Sequence, residues 1–319
     1  MRLHLFRAMT RPRNPIAGTS YLVTRRCVQR QFLLLPSDTA NHLFRFVLAY
    51  AARKFPIAVH AACVMSNHFH LVVTDPAEHL SNFMHRIDML LGRALNVHYG
   101  RGESIFAQGS YSPVKLVDGD DTLEKMVYVL ANPVEAGLVA RGDDWPGVRS
   151  APARMGKRET IHRPNFFFRK KGPTPEAATL LFTKPPGFEG ETEEEFARRL
   201  EAAVETHEES IRQRFRERKR KFMGPKRVLS QSRNDFPRIH ERRGNLNPRV
   251  ACRDKWRRIA ALQANRRFLE DYRIALKEFR ARLKRGSEDA LEVIFPKGTY
   301  WMRVHYGVRC ESAPVPAPS

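Results

Sequence analysis

The sequence predicts an α+β protein in which one antiparallel sheet carries packed helices and a basic, mainly helical C-terminal extension follows. Over residues 1–150 the patterns run strand, helix, strand, strand, helix, strand, helix, which fits a single layered sheet. Beyond residue 190 the apolar spacing becomes helical. Hydrophobic residues make up 42% of the 319 positions, which is enough for a packed core and excludes wholesale disorder.

The elements of the first half follow from apolar periodicity and from turn residues. Runs of β-type residues predict four strands, at residues 21–24, 57–65, 68–73 and 112–117. Helical spacing predicts three helices, at residues 38–53, 80–97 and 121–132. Ser66 and Asn67 form a turn dipeptide that makes the two middle strands an antiparallel hairpin. Asp121 and Glu124 resemble a capping box and predict the start of the third helix.

The second half has a different organisation. Residues 151–190 contain six prolines and no long periodic run, which is typical of irregular structure and linkers. Thr192 with Glu195 predicts a capping box that opens a long helix, and a second long helix is predicted at 250–285. We therefore predict a domain at 1–150, an irregular Pro-rich linker at 151–190 and a basic helical extension at 191–319.

The charge of the chain is strongly positive and unevenly placed. The formal net charge is +22; residues 1–150 carry 17 basic and 12 acidic side chains, and residues 151–319 carry 39 and 22. Such a positive excess favours a polyanionic partner, and nucleic acid is favoured over an acidic membrane surface. A solvated, highly charged helical surface is the simpler alternative. No stretch approaches the roughly 20 apolar residues of a membrane span.

The four cysteines are far apart in the sequence, at Cys27, Cys63, Cys252 and Cys310. This spacing argues against a disulfide framework and against a zinc site built from cysteines. A reduced cytoplasm is the predicted location.

A His-Phe-His motif is the sharpest local feature of the sequence. Alternate side chains of a strand point to the same face, so His68 and His70 project together while Phe69 points to the other face. Two neutral imidazoles can chelate one ion of Mn, Zn, Fe, Ni or Cu, whereas Mg prefers oxygen ligands. Two histidines on a surface strand without any ligand are equally compatible with this motif.

Tyr128 and Asn132 lie one turn apart on the third predicted helix, away from its apolar stripe. An aromatic side chain there gains little from core burial, although packing under a neighbouring loop is an alternative role. If His68 and His70 hold a metal, the phenol could attack phosphorus, because the metal or Lys125 would favour the phenolate. Asn132 could then add its amide oxygen as a third ligand.

Three stretches together resemble one known family. Residues 65–73 are similar to the signature of the His-hydrophobe-His single-tyrosine transposases, in the REP-associated tyrosine transposase branch. Residues 102–108 resemble the Gly-x-x-x-Trp-Gln segment of that branch, with Phe106 in place of the usual Trp. Residues 128–139 resemble its Tyr-x-x-x-Asn-Pro-Val-x-Ala-Gly-Leu-Val pattern. The resemblance covers about residues 15–150 in unbroken motif order and does not extend to the C-terminal half.

The resemblance implies a ferredoxin-like sheet with the histidine pair on a central strand. It also implies that Tyr128 is the nucleophile, which forms a 5′-phosphotyrosine link to single-stranded DNA. By the same resemblance His68 and His70 hold Mg or Mn, and Asn132 stands where relatives use a polar ligand. The cations predicted to bind DNA are Arg25, Arg26, Lys115 and Lys125.

Two functions follow as competing hypotheses. One is a strand transferase that nicks and rejoins single-stranded hairpin DNA; the other is a catalytically silent, single-stranded nucleic-acid-binding protein derived from such an enzyme. The complete trio of His68, His70 and Tyr128 favours the first. A zinc hydrolase would need a carboxylate base, and Asp75 is predicted to face away from the histidines. The predicted partner is single-stranded or hairpin DNA, and no membrane partner is predicted. A homodimer is an open alternative.

Overall fold

The structure is a computed structural model that describes residues 12–109, 111–237, 248–286 and 288–311. Within the predicted extension, residues 238–247, 287 and 312–319 lie outside the described residues. The first half contains, in chain order, β1 (Thr19–Arg26), α1 (Asp38–Lys54), β2 (Ala58–Met65), β3 (His68–Asp75), α2 (Leu80–Tyr99), β4 (Ser112–Leu116) and α3 (Gly119–Glu135). These elements confirm the predicted α+β class.

The central sheet has the strand order β2-β3-β1-β4, and these neighbours are antiparallel. This order, with the chain sequence βαββαβ, is the ferredoxin-like topology. A two-residue strand, β7 (Val250–Ala251), adds in parallel to the outer edge of β4. The histidine-bearing strand β3 therefore lies inside the sheet, between β2 and β1.

Helices cover both faces of the sheet. Helices α1 and α2 pack on the face that receives the odd-numbered side chains of β3, and the core there includes Phe44, Phe69, Leu71 and Phe83. Helix α3 crosses the opposite face, where Val72 of β3 packs with residues such as Met126 and Leu130. Because successive strand residues alternate, each strand supplies both cores.

The ends of α3 differ from the prediction. Asp118, not Asp121, is the N-cap: its side chain accepts a hydrogen bond from the Asp121 backbone N–H at 2.9 Å, so the helix begins at Gly119. The helix also continues past the expected end at Asn132, through Pro133 to Glu135. Proline removes only one backbone donor, and the surrounding core holds the last turn in place.

The second half contains β5 (Glu159–His162), β6 (Ala177–Leu180), α4 (Glu193–Glu217), α5 (Pro225–Leu229), β7, α6 (Lys255–Lys284), β8 (Ile294–Phe295), α7 (Tyr300–Tyr306) and β9 (Arg309–Cys310). The predicted capping box is confirmed, because Thr192 Oγ1 accepts from the Glu195 N–H and the Glu195 carboxylate accepts from the Thr192 N–H. The stretch expected to be irregular carries the β5–β6 pair.

Packing crosses residue 150. Strands β5 and β6 lie against α1, and α4 lies along α3. The buried side of α4 includes Phe196, Leu200, Ile211 and Phe215, all in the same core as the inner side of α3. A separate core joins α6 to β8 and α7. The division into segments at 150 and 190 stays a prediction, and the first long helix of the extension completes the layer around α3.

No helix within the described ranges is both long enough and apolar enough to cross a membrane.

We expect Phe196→Ala to lower the free energy of unfolding by about 3–5 kcal/mol, because it removes a fully buried ring between α4 and α3. Urea unfolding followed by circular dichroism measures the change. Arg198→Ala, an exposed position on the same helix, is the matched control and should change stability by less than about 0.5 kcal/mol. Equal stability of the two variants would show that α4 does not stabilise the sheet layer.

A buried histidine predicts acid sensitivity. Burial lowers the pKa of His60 from 6.5 to about 4, and its ring bonds to Thr183 O and Thr74 Oγ1 at 2.8 Å each. The unfolded chain binds the proton first, so stability should be lost as the pH falls from about 6.5 to 4, by about 3 kcal/mol from this group. Urea titrations at several pH values should show a shallower loss in His60→Gln; an unchanged slope would contradict the assignment.

Candidate active site

The two histidines of β3 lie side by side on the face covered by α3. Their ring centroids are 4.7 Å apart with planes at 82°. The antiparallel register places Thr24 opposite His70 and Arg26 opposite His68, so all four side chains share this face. His70 is buried, whereas His68 is half-buried and Arg26 is exposed. The pair thus sits at the rim of the α3 core, open on one side.

Each imidazole is held through its Nδ1 atom. His68 Nδ1 is 2.6 Å from Asn67 Oδ1, and an amide oxygen can only accept, so this Nδ1 carries a proton. His70 Nδ1 is 2.8 Å from Thr24 Oγ1. In metal sites, a second hydrogen bond of this kind orients the ring and sets its tautomer. The arrangement makes Nε2 the nitrogen suited to bind a ligand on both rings.

The local electrostatics keep His70 neutral. Burial lowers its pKa well below 6.5, and the positive charges of His68 and Arg26 lower it further. A neutral imidazole is the form that ligates a metal.

Tyr128 projects from α3 onto the histidine pair. Its ring centroid is 5.5 Å from that of His70 and the planes meet at 71°, while 40% of the side chain is exposed. The amphipathic pattern of α3 causes this placement, since Met126, Val129 and Leu130 are buried on the inner side of the helix. The structure therefore brings together the three residues of the predicted trio within one chain.

Asn132 lies one turn beyond Tyr128 on α3 but is buried rather than exposed with it. Its neighbours in the chain, Ala131 and Pro133, are also buried. The apolar stripe of α3 is therefore broader than expected and reaches Asn132. The role of Asn132 as a third ligand stays a prediction.

The four predicted DNA-binding cations are dispersed. Arg26 lies beside His68, and Lys125 on α3 pairs with Glu124. Lys115 points to the other face of the sheet, opposite Tyr21, and lines a cavity of about 320 Å³; burial lowers its pKa. Only Arg26 and Lys125 thus share the side of the sheet that carries Tyr128.

Arg25 does not lie at the site. It is buried among the helices of the opposite face, where its Nε is 2.8 Å from Asp88 Oδ2 and its Nη1 donates to Ala107 O at 3.1 Å. Its guanidinium also lies 5.0 Å from the ring of Phe106, which packs edge-on against Phe69. Adjacent residues of a strand point to opposite faces, which separates Arg25 from Arg26.

Asp75 faces away from the histidines, as the strand alternation predicts. Its carboxylate accepts the backbone N–H groups of Ala77, His79 and Leu80, and so stabilises the beginning of α2. It is therefore not placed as a base for the His68–His70 pair.

One other group in the described part of the chain has spacing that could hold a metal ion. Ligand atoms of Asp118, Asp121 and Cys252 lie within 4.8 Å of one another. Asp118 also accepts from Arg257 Nη1 at 2.9 Å, and Asp121 accepts from the Arg253 N–H at 2.8 Å. Arg257 therefore compensates the charge of Asp118, whereas Asp121 is held by a backbone amide and its Oδ2 atom is buried without a hydrogen-bond partner among the described residues. The group does not include His68 or His70.

Sequence reasoning missed the two residues that orient the imidazoles. Thr24 could have been found from the register, because the β1–β3 pairing puts it directly opposite His70. Asn67 lies in the hairpin turn and in the signature-like stretch 65–73, but neither pattern indicates that its side chain orients His68. Neither residue belongs to a recognisable spacing motif with its histidine.

Two solved structures are similar to this chain. The structure of a REP-associated tyrosine transposase bound to a REP hairpin is 22% identical, with a TM-score of 0.37; the match covers 44% of this chain and 81% of that one. The crystal structure of a putative transposase from Deinococcus radiodurans is 17% identical, with a TM-score of 0.26; the match covers 33% and 85%. No protein-family model and no curated protein matches the chain.

Proposed function

We propose that this protein is a metal-dependent single-tyrosine transposase that nicks and rejoins single-stranded hairpin DNA through a 5′-phosphotyrosine intermediate. One observation carries the proposal: an accessible tyrosine ring lies 5.5 Å from a neutral, buried histidine that is itself paired with a second histidine. Attack by tyrosine, unlike attack by water, leaves the cut strand joined to the protein through a phosphotyrosine bond. Because this bond replaces the one that was broken, the strand can be rejoined. The motif order of residues 65–139 supports the same function.

Of the two ions that the resemblance implies, Mn²⁺ fits the donor set better than Mg²⁺, because it accepts imidazole nitrogen more readily. His68 and His70 would hold it through Nε2, and Asn132 is the candidate third ligand. The rings are already oriented by Asn67 and Thr24, so little ordering is needed on binding. A bound ion would supply charge stabilisation to the phosphate under attack.

Side chains of the protein carry out the attack on phosphorus and orient the phosphate. Tyr128 Oη forms the new bond to phosphorus while the bond to the 3′-oxygen breaks; the phenol loses one proton and the departing oxygen gains one. Arg26 lies beside His68, where it can orient the phosphate. Rejoining is the reverse reaction, with a 3′-hydroxyl attacking the phosphotyrosine. Each strand transfer thus conserves the number of phosphodiester bonds.

The proposal extends to organisation and location. We assign the chemistry to residues 1–150, with residues 151–190 and 191–319 serving the fold and DNA binding. The free cysteines in the described residues, three of them buried, are consistent with the cytoplasm.

Tyr128→Phe should abolish covalent protein–DNA adducts because it removes the attacking oxygen. The assay uses a hairpin oligonucleotide labelled at its 3′ end, the part that stays joined to the protein in a 5′-phosphotyrosine link. Binding of uncut hairpin, measured by fluorescence anisotropy, should change by less than about threefold, since the exposed ring is retained.

Tyr306→Phe, on α7 and away from the histidines, is the control and should form adducts like the parent chain. Adducts that persist in Tyr128→Phe would remove the assigned nucleophile. Hairpin binding by the parent chain without any adduct would favour the silent nucleic-acid-binding protein instead.

His68→Gln should weaken Mn²⁺ binding about 10- to 100-fold, because one of two paired imidazoles is lost. Isothermal titration calorimetry on the DNA-free protein measures this without depending on activity. His85→Gln, an exposed histidine on α2, is the matched control and should leave the affinity unchanged. Equal affinities of the two variants would place the metal elsewhere, and the Asp118–Asp121–Cys252 group would be the next site to test.

A further inference from the structure

Trp256 is an exposed aromatic side chain with no apolar surroundings to explain it. It lies in the first turn of α6, and 73% of its surface is accessible, more than any other large hydrophobic residue recorded as exposed in the described ranges. The apolar core of α6 starts only at Phe268, three turns further on. The fold therefore gains almost nothing from burying Trp256.

The immediate surroundings of Trp256 are basic. Residues 253–258 contain four cations and one carboxylate, and Lys255 Nζ lies 5.4 Å from the centroid of the indole ring. The carboxylate, Asp254, is used as the N-cap of α6. A protein-docking surface built around a tryptophan is normally apolar at its centre. An exposed ring among cations instead matches the two elements of single-strand nucleic-acid binding, a charged groove and a stacking aromatic.

The beginning of α6 is fixed to the helix that carries Tyr128. Arg253 Nε is 2.6 Å from Glu124 Oε2, and Arg257 Nη1 is 2.9 Å from Asp118 Oδ2. Glu124 and Tyr128 are four residues apart on α3, so they share one face and are separated by about 6 Å along the axis. The basic segment with Trp256 therefore adjoins the same side of α3 as the tyrosine.

The exposed face of α6 continues the same surface. At 100° per residue Gln263 and Arg267 align with Trp256, and both are exposed. Gln263 is a neutral hydrogen-bonding group and Arg267 a cation, so this face offers the groups that contact bases and phosphates.

We propose that the first turn of α6 is a stacking platform on which Trp256 binds an unpaired base of the DNA single strand next to the Tyr128 site. The proposal rests on the proposed function for the identity of the DNA but not for the binding itself. Lys255 and Arg258, the two cations of residues 253–258 that do not pair with carboxylates of the α3 start, neutralise the flanking phosphates, while the indole face contacts the base. Such stacking is tolerant of sequence, because every base has an aromatic face.

The test uses the full-length chain and oligo(dT), which forms no hairpin. Trp256→Ala should weaken oligo(dT) affinity about tenfold at fixed salt, and Trp256→Phe should retain most of it. Heparin, a polyanion without bases, should bind all variants within about twofold. Ile274→Ala is the matched control: it lies on the same face of α6, is 67% exposed, and is 18 residues away from Trp256. It should leave oligo(dT) binding unchanged.

Unchanged oligo(dT) affinity in Trp256→Ala would overturn the platform, and so would an equal loss of heparin affinity, which would show a general electrostatic change. The Tyr128-dependent adduct, measured in parallel on a hairpin, separates the two proposals. If adducts form but Trp256→Ala binds oligo(dT) as the parent chain does, only the stacking platform is overturned. A tenfold Trp256 effect without adducts would support the platform and overturn the strand-transfer function.

Discussion

The pairing register of β3 in the sheet is the constraint on which the site depends. Its odd-numbered side chains, including Phe69 and Leu71, fill the core under α1 and α2, so the even-numbered histidines must face α3. A shift of one residue would bury both imidazoles in that core and expose Phe69, at a cost of several kcal/mol for each buried aromatic lost. The same hydrophobic packing that stabilises the sheet therefore fixes the direction in which the imidazole nitrogens of His68 and His70 point.

The position of Tyr128 depends on how α3 is packed. The buried side of α3 contacts the sheet, and α4 packs along α3 in the same core. Tyr128 lies in the strip of α3 left uncovered by both, which explains how a tyrosine can contact His70 and stay accessible. Since α4 follows residue 150, residues beyond that point help to hold the helix that carries Tyr128.

Several local signals in the sequence predicted the placement of side chains correctly, although the capping-box pattern at Asp121 misplaced the start of α3. Strand alternation predicted the common face of His68 and His70 and the opposite direction of Asp75, and helical spacing predicted that Tyr128 lies off the buried stripe. Contacts between distant segments were not predictable in this way: the α4–α3 packing depends on tertiary complementarity, and the Arg25–Asp88 pair joins β1 to α2. Arg25 and Arg26 look alike in sequence, and only the face of the strand on which each lies separates a buried ion pair from an exposed cation.

Acidic residues at the start of α3 hold the basic start of α6 in a defined position. Asp118 is the N-cap of α3 and Glu124 lies in its second turn. Each carboxylate pairs with an arginine at the start of α6, and the negative charge at the N-cap also stabilises the helix dipole. Exposed pairs of this kind contribute little stability one at a time, on the order of 0–1 kcal/mol. Their effect is on position, because two pairs fix both the location and the direction of α6. Lys255 and Trp256 lie between the two arginines of these pairs in the sequence, so the pairs hold both side chains beside the helix that carries Tyr128.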